Sequence, residues 1–348
     1  MTTFKRYFCY RLRKSKLQII IFTVLAVWMT HFSTMDAIEG FHLEGYGDVH
    51  QAGLSGLHSI LAFCCTIIPI VENSCFKNRR NLDTLFCLPI SRPKLALAHY
   101  LCGWVQTMII YTASFAWCAV LLISHKEWFN LSYLFPYYLL SLLMGLIVYS
   151  VFSFLFGEAN SVGDGIMFVF FGIFAFMWIL YSIGALISGN LGVFEGEWKF
   201  VDWDWGTAYR PITRLTALFQ SKIHLYPLSS YQSGEALTAM REWYMFAVWG
   251  VLGIASAIGY FFTFARRGAE QIGDISNSWF GYKTMIPIYA YGMIFLLGDG
   301  NLIFATFMLI VMTLFYAIYR RSFRLKKSDL ICVLLGFIPW LAGGIFLS

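Results

Sequence analysis

Acid–base, nucleophilic and metal chemistry need His, Cys, Asp or Glu side chains brought together at workable spacing. This 348-residue sequence offers few such groupings. His31 and Asp36 form one His-x4-Asp pair, a spacing used by some acyltransferases, but it stands isolated and reads as coincidence. No G-x-x-x-x-G-K-S/T run occurs, so the chain does not cradle nucleotide phosphates in the P-loop manner. H-E-x-x-H is absent, and so are the paired glutamates of intramembrane metalloproteases. The cysteines (Cys9, Cys64, Cys65, Cys75, Cys87, Cys102, Cys118 and Cys332) include no C-x-x-C pair and suggest no disulfide framework. They read as reduced, structural thiols.

The remaining polar side chains of interest are His58, Glu72, His99, Glu158, Asp164 and Asp299, all within or beside apolar runs. A carrier driven by protons or sodium needs several ionisable groups near mid-membrane. Glu72, Glu158 and Asp164 instead fall at the inner ends of expected spans, and Asp299 at an outer turn. His58 and His99 are embedded about a turn from a boundary. For each, the expectation is a histidine bonded to a neighbouring helix or reaching the interface. Neither hydrolytic chemistry nor ion coupling is written plainly in these residues.

The elements that position them are membrane spans. The chain is 59% hydrophobic and 13% charged, with a mean hydropathy of +0.65, whereas a soluble domain carries about 25% charged residues to cover its surface. Lipid must therefore solvate much of this surface. The formal charge of +6 does not indicate nucleic acid, because the basic residues sit beside apolar runs, where they orient a membrane protein. Runs long enough to span lie at 17–35, 54–74, 95–123, 133–156, 165–187, 243–265, 284–297, 302–319 and 330–347. The expected fold is an all-α polytopic membrane protein. The first run follows FKRYFCYRLRKSK and reads as an uncleaved span, because no convincing small-x-small cleavage site follows it. Phe4, Tyr7, Phe8 and Leu12 share one helical face of that stretch, which is expected to lie flat on the inner leaflet.

With the N-terminus inside, 19 of the 25 lysines and arginines fall in inner segments, as the positive-inside rule requires. The layout is less constrained after Arg267. Residues 284–319 make either two short crossings with a turn at Gly298–Asn301 or a re-entrant hairpin. In the sixth run, Gly253/Ala257 and Ala255/Gly259 form small-xxx-small pairs, expected to pack within the chain or at a subunit contact. The outer segment 188–242 carries Trp198, Trp203, Trp205 and Tyr209. Behind Pro211, Ile212, Leu215, Leu218, Phe219 and Ile223 recur at helical spacing. The segment reads as an aromatic belt with an interfacial helix, or as an outer gate formed by Trp198, Trp203, Trp205, Leu215 and Phe219.

The most specific stretch runs from Glu72 to Trp104, ENSCFKNRRNLDTLFCLPISRPKLALAHYLCGW. After a span ending near Glu72 it presents Lys77, Arg79 and Arg80. Next comes a two-turn amphipathic segment with Leu82, Leu85 and Phe86 on one face and Asp83 beside it. Leu88-Pro89 breaks that segment, Ser91 is placed to cap the next helix, and Pro93 is tolerated in its first turn. An exposed Leu/Phe face on an inner loop needs a cover, either headgroups or a groove on another protein.

The order of span, glutamate, basic residues, D-T-L helix, L-P-I-S-R and span resembles the first cytoplasmic loop of ABC-2 type permeases, the membrane subunits of bacterial ABC transporters, often exporters. The motif core covers about twenty residues, and the hydropathy layout extends the likeness to 1–265. The resemblance implies a six-span ABC-2-like core over 1–265, with an amphipathic N-terminal helix, a coupling-helix loop at 72–94 and the outer loop at 188–242. Residues 266–348 would add two or three C-terminal spans. Both that extension and the length of the outer loop depart from the family core and resemble larger permeases of Gram-positive bacteria.

It further implies that Arg80, Asn81, Leu82, Asp83, Thr84, Leu85 and Phe86 dock a separate ABC ATPase dimer, which would hold ATP and Mg, while this chain binds no cofactor. A second permease chain, identical or homologous, and a bacterial cytoplasmic membrane with the N-terminus inside complete the expectation. The alternatives are an integral membrane enzyme acting on lipid-linked substrates and an ion-coupled secondary transporter.

Overall fold

The computed structural model describes residues 3–43, 54–78, 85, 87–127, 129–173, 209–223, 243–266, 272–274, 276, 278, 280–297, 302–320, 322–338 and 340–341. Among them the regular elements are helical: α1 Thr3–Lys14, α2 Lys16–Leu43, α3 Ser55–Ser74, α4 Arg92–Ser124, α5 Leu134–Glu158, α7 Arg210–Ile223, α8 Trp243–Arg266, α9 Tyr282–Leu297, α10 Leu302–Arg320 and α11 Lys327–Leu335. A further short apolar helix, α6, covers Val162–Ile173.

Among the described residues, six stretches are long and apolar enough to cross a bilayer: Lys16–Glu39, Ser55–Lys77, Arg92–Ser124, Leu131–Glu158, Phe246–Ala265 and Leu302–Arg320. Their outward faces are those of lipid-solvated helices. Val24 and Trp28 on α2 are 63% and 60% exposed, a loss of hydrophobic stabilisation that water would not tolerate along a whole helix. The chain is an all-α, multi-pass membrane protein. Of the other three expected spans, 165–187 is described only as far as residue 173, and 284–297 forms a 16-residue helix. The run 330–347 is described through residue 341. Sixteen residues rise about 24 Å, roughly a turn short of a ~30 Å hydrocarbon core.

The chain divides into two compact units, Met1–Gly157 with Pro211–Ala269, and Glu158–Arg210 with Glu270–Ser348. In the first, α4 packs against α1, α2, α3 and α8. Leu57, Leu61, Cys65 and Ile68 are buried along α3 at helical spacing, and α2 packs against α3 as well. On the neighbouring α5, the Gly145 carbonyl accepts from Cys65 Sγ at 3.2 Å.

Helix α4 starts where the sequence indicates. Ser91 holds the N-cap position in extended geometry and Pro93 lies in the first turn, although the Ser91 side chain makes no capping bond. Its 33 residues rise about 50 Å, more than the hydrocarbon thickness, so its ends reach beyond the bilayer core or the helix tilts. Of the small residues of α8, Gly253 and Gly259 serve packing inside the chain, whereas Ala255 is exposed. A Cβ on Gly253 would lie 2.9 Å from Ile147 Cγ2, and one on Gly259 would lie 2.7 Å from Phe154 Cε2, both on α5.

In the second unit, α9 and α10 pack through Ala290, Ile294, Ala305, Leu309, Met312 and Tyr316. The connecting residues 298–301, where the sequence suggests a turn, lie outside the described residues.

Candidate functional site

Pro69 lies inside α3 near its end. The side-chain amide of Asn73 donates to the Pro69 carbonyl at 2.8 Å. In the last turn α3 directs Glu72 into the protein, where its side chain is 1% exposed. A lone carboxylate cannot remain ionised there without partners, and α1, the α1–α2 junction and α4 supply them. From α1, Arg11 Nε donates to Oε2 at 3.0 Å. Ser15, between α1 and α2, donates to Oε1 at 3.1 Å, and Gln106 Nε2 of α4 donates to the same oxygen at 2.7 Å.

His99 of α4 places Nδ1 3.2 Å from the Glu72 carbonyl oxygen and 3.5 Å from Oε2, while its Nε2 lies 2.8 Å from the Tyr7 hydroxyl. Acceptors face Nδ1, so the network assigns the proton there and leaves Nε2 to accept from Tyr7. Burial raises the Tyr7 phenol above its usual value, which keeps that hydroxyl a donor. For Arg11, burial disfavours the charge, but the Glu72 carboxylate outweighs it and the guanidinium is held more firmly protonated than usual. Cys75 Sγ adds a weak bond to the Glu72 carbonyl at 3.3 Å.

The surrounding packing leaves this cluster little freedom. Gly103 lets α4 pass close by, since a Cβ there would sit 2.3 Å from Tyr149 Oη and 3.3 Å from Glu72 Cγ. Tyr149 is fully buried and its hydroxyl donates to the Tyr100 carbonyl at 3.1 Å. Next to Glu72, Asn73 Oδ1 accepts from Tyr260 of α8 at 2.6 Å. Lys77 Nζ donates to the Gly157 carbonyl at the end of α5 at 3.0 Å. Phe76 packs edge-on against both His99 and Phe264.

Both roots of the 78–91 segment, the last turn of α3 and the first turns of α4, are thus fastened to α1, α5 and α8. Chemically, the acid, base and cation neutralise one another, so the arrangement is a joint and not a set of poised catalytic groups. His99 and His58 both bond to a neighbouring helix, as expected. His58 does so through Nε2 to Thr213 Oγ1 at 3.0 Å.

The residues singled out for docking mostly fall elsewhere. Arg80, Asn81, Leu82, Asp83, Thr84 and Phe86 lie outside the described residues. Leu85 is helical and its carbonyl accepts from Leu88 N at 3.3 Å. Of the gate candidates, Trp198, Trp203 and Trp205 also lie outside the described residues, whereas Leu215 and Phe219 are buried on α7.

That helix begins at Arg210-Pro211, as the spacing requires, and its Ile212, Leu215, Phe219 and Ile223 face inward. It is fastened to the opposite end of the first unit from Glu72. Thr213 meets His58 of α3, Thr216 Oγ1 lies 3.2 Å from the Tyr137 hydroxyl of α5, and the Ile223 carbonyl accepts from Asn130 N at 2.6 Å. The amphipathic face read as interfacial is therefore spent on protein.

The same holds for α1. Phe4, Tyr7, Phe8 and Leu12 do share a face, but Arg11 and Ser15 share it too, and it packs on α4. The participation of Arg11, Ser15 and Gln106 was not anticipated. The available signal was their spacing: Tyr7, Arg11 and Ser15 recur every fourth residue, and Gln106 lies two turns beyond His99.

In the second unit, Asp164 accepts from Ser276 Oγ at 2.7 Å and from the Tyr282 hydroxyl at 3.0 Å. Ser278 donates to Glu158, and the Tyr319 hydroxyl donates to the Ser276 carbonyl at 3.0 Å. These carboxylates tie the 272–282 segment to the start of α6. Among the described residues no group of three or more His, Cys, Asp or Glu side chains is arranged to hold a metal ion. No protein-family model matches the chain, and no curated protein does.

Proposed function

We propose that this chain is the membrane subunit of an ABC transporter of the ABC-2 type, in which a separate ATPase dimer docks on the loop between α3 and α4. The observation that carries the reading is the fastening of both roots of that loop, with the N-terminal helix, into the Glu72 cluster. A push on a loop whose roots are loose is absorbed locally. When the roots are locked to each other and to α1, α5 and α8, the push is passed to the spans.

Arg80, Asn81, Leu82, Asp83, Thr84, Leu85 and Phe86 form the docking element in this reading. Leu82, Leu85 and Phe86 supply an apolar face for a cleft, with Asp83 fixing its orientation. ATP and Mg belong to the partner, consistent with a chain that carries no P-loop sequence. A second permease chain, identical or homologous, completes the complex, with the N-terminus cytoplasmic in a bacterial inner or plasma membrane. Export of a peptide, lipid or amphiphile suits the apolar, aromatic spans. The competing reading of a membrane enzyme requires acid and base groups free to act, and the strongest candidates are spent on each other.

Affinity purification of the tagged full-length chain in mild detergent tests the proposal. A P-loop ATPase should accompany it in near-stoichiometric amount, with ATP hydrolysis in the eluate. Purification of this chain without such a partner from membranes in which it is expressed at native level counts against it.

A further inference from the structure

Helix α1 divides cleanly into two faces. Phe4, Tyr7, Phe8, Arg11 and Leu12, with Ser15 just beyond the helix, are half-buried or buried, Tyr7, Arg11 and Ser15 reaching His99 or Glu72, and Lys5, Arg6, Cys9, Tyr10, Arg13 and Lys14 are exposed. At about 100° per residue the exposed set fills an arc of roughly 180°. Four of its six members are cations, and exposed Lys16 follows at the start of α2. The sequence has no acidic residue before Asp36. Within the described residues no ion pair engages Lys5, Arg6, Arg13, Lys14 or Lys16.

The position of this face selects its partner. α1 runs directly into the span that starts at Lys16, and its inner face is pinned beside Glu72 and His99, within about two turns of the ends of α3 and α4. The exposed cations therefore stand at headgroup depth. Tyr10, 60% exposed among them, is a side chain suited to that layer. A cluster of this size beside a span attracts anionic lipid.

We infer that the exposed face of α1 is a binding surface for the phosphate headgroups of anionic phospholipids in the adjacent leaflet. Because Arg11 on the opposite face holds Glu72, lipid bound here steadies the helix that locks the loop roots. The inference stands on the charge and position of α1 and does not depend on the reading of the chain as a permease.

The test uses full-length protein, with Cys87→Ser, labelled at exposed Cys9 with an environment-sensitive fluorophore and reconstituted in vesicles. Quenching by brominated phosphatidylglycerol is compared with quenching by brominated phosphatidylcholine. Phosphatidylglycerol should quench preferentially, corresponding to an affinity advantage of at least about tenfold, and the preference should shrink as salt rises. Joint substitution of Lys5→Gln, Arg6→Gln, Arg13→Gln and Lys14→Gln should bring the two lipids to parity. The pair Lys5→Gln, Lys14→Gln should fall between, and Arg324→Gln in the second unit should change nothing. Inorganic phosphate at matched concentration should leave the ratio intact.

Equal quenching in the unsubstituted protein overturns the proposal and is the result expected of a surface built for an acidic protein. A preference that survives the fourfold neutralisation, or one abolished by inorganic phosphate, also overturns it. The salt series needs no substitution, so a variant that fails to fold does not block the test.

Discussion

Arg11, Ser15, Gln106 and His99 surround the Glu72 carboxylate, arranged to hold it ionised. Removing one member of a buried ion pair leaves the other charge uncompensated, at a cost of about 3–5 kcal/mol. Glu72→Ala removes the carboxylate held by Arg11, Ser15 and Gln106, although the main-chain carbonyl of residue 72 still faces His99 Nδ1, and is expected to lose stability in that range in thermal or denaturant unfolding of the purified protein. Arg11→Met combined with Glu72→Leu should recover much of the loss, because neither charge then remains buried, and failure of that recovery would argue against the pairing. This cluster was only partly legible beforehand. Glu72 and His99 stand out as polar groups in apolar runs, but Tyr7, Arg11 and Ser15 read as one edge of a basic helix until α1 is folded back onto α4. Charge within a helix is legible from sequence, whereas a partner 61 residues away is a tertiary fact.

Helices were the easiest elements to read, because apolar runs near 20 residues have few alternatives in a bilayer. The beginnings of α4 and α7 followed from Pro93 and Pro211. What the pattern left open was the surface each amphipathic face covers, since lipid and protein both accept Leu, Ile and Phe. For α1 and α7 that surface is protein. The junction of α10 and α11 makes an element-scale prediction. Burial works against the Asp329 charge, but the Arg320 guanidinium, with Nη2 at 2.7 Å from Oδ1, and the Lys326 amide hold the carboxyl below its usual range. A folded pKa below the unfolded value of about 3.9 stabilises the folded state at higher pH, and that contribution disappears as pH falls through the folded value. Asp329→Asn should therefore melt below the unsubstituted protein at pH 7, and the gap should narrow as pH falls below about 3.9 and through the lower folded value. A gap that is constant with pH would mean that the pair contributes no charge-dependent stability.

At the scale of the molecule, the account joins a loop to the spans through one buried joint. In the first unit, the Glu72 cluster fastens one end of the helices and α7 fastens the other, and between them α3 is enclosed on several sides. Such a body transmits a displacement applied at the loop roots better than it absorbs one. The class of protein was legible from hydropathy and charge, because lipid solvation leaves a compositional mark on the whole chain. The proposed partner rests only on a motif of about twenty residues, because docking surfaces are small and their energy is realised in another protein. The most direct test compares the unsubstituted chain with Asp83→Arg, Leu85→Glu in quantitative co-purification of the P-loop ATPase and in ATP hydrolysis by the recovered complex. The account predicts loss of both at unchanged yield and melting temperature of the membrane chain. Retention of the ATPase at undiminished stoichiometry by the doubly substituted chain would contradict it.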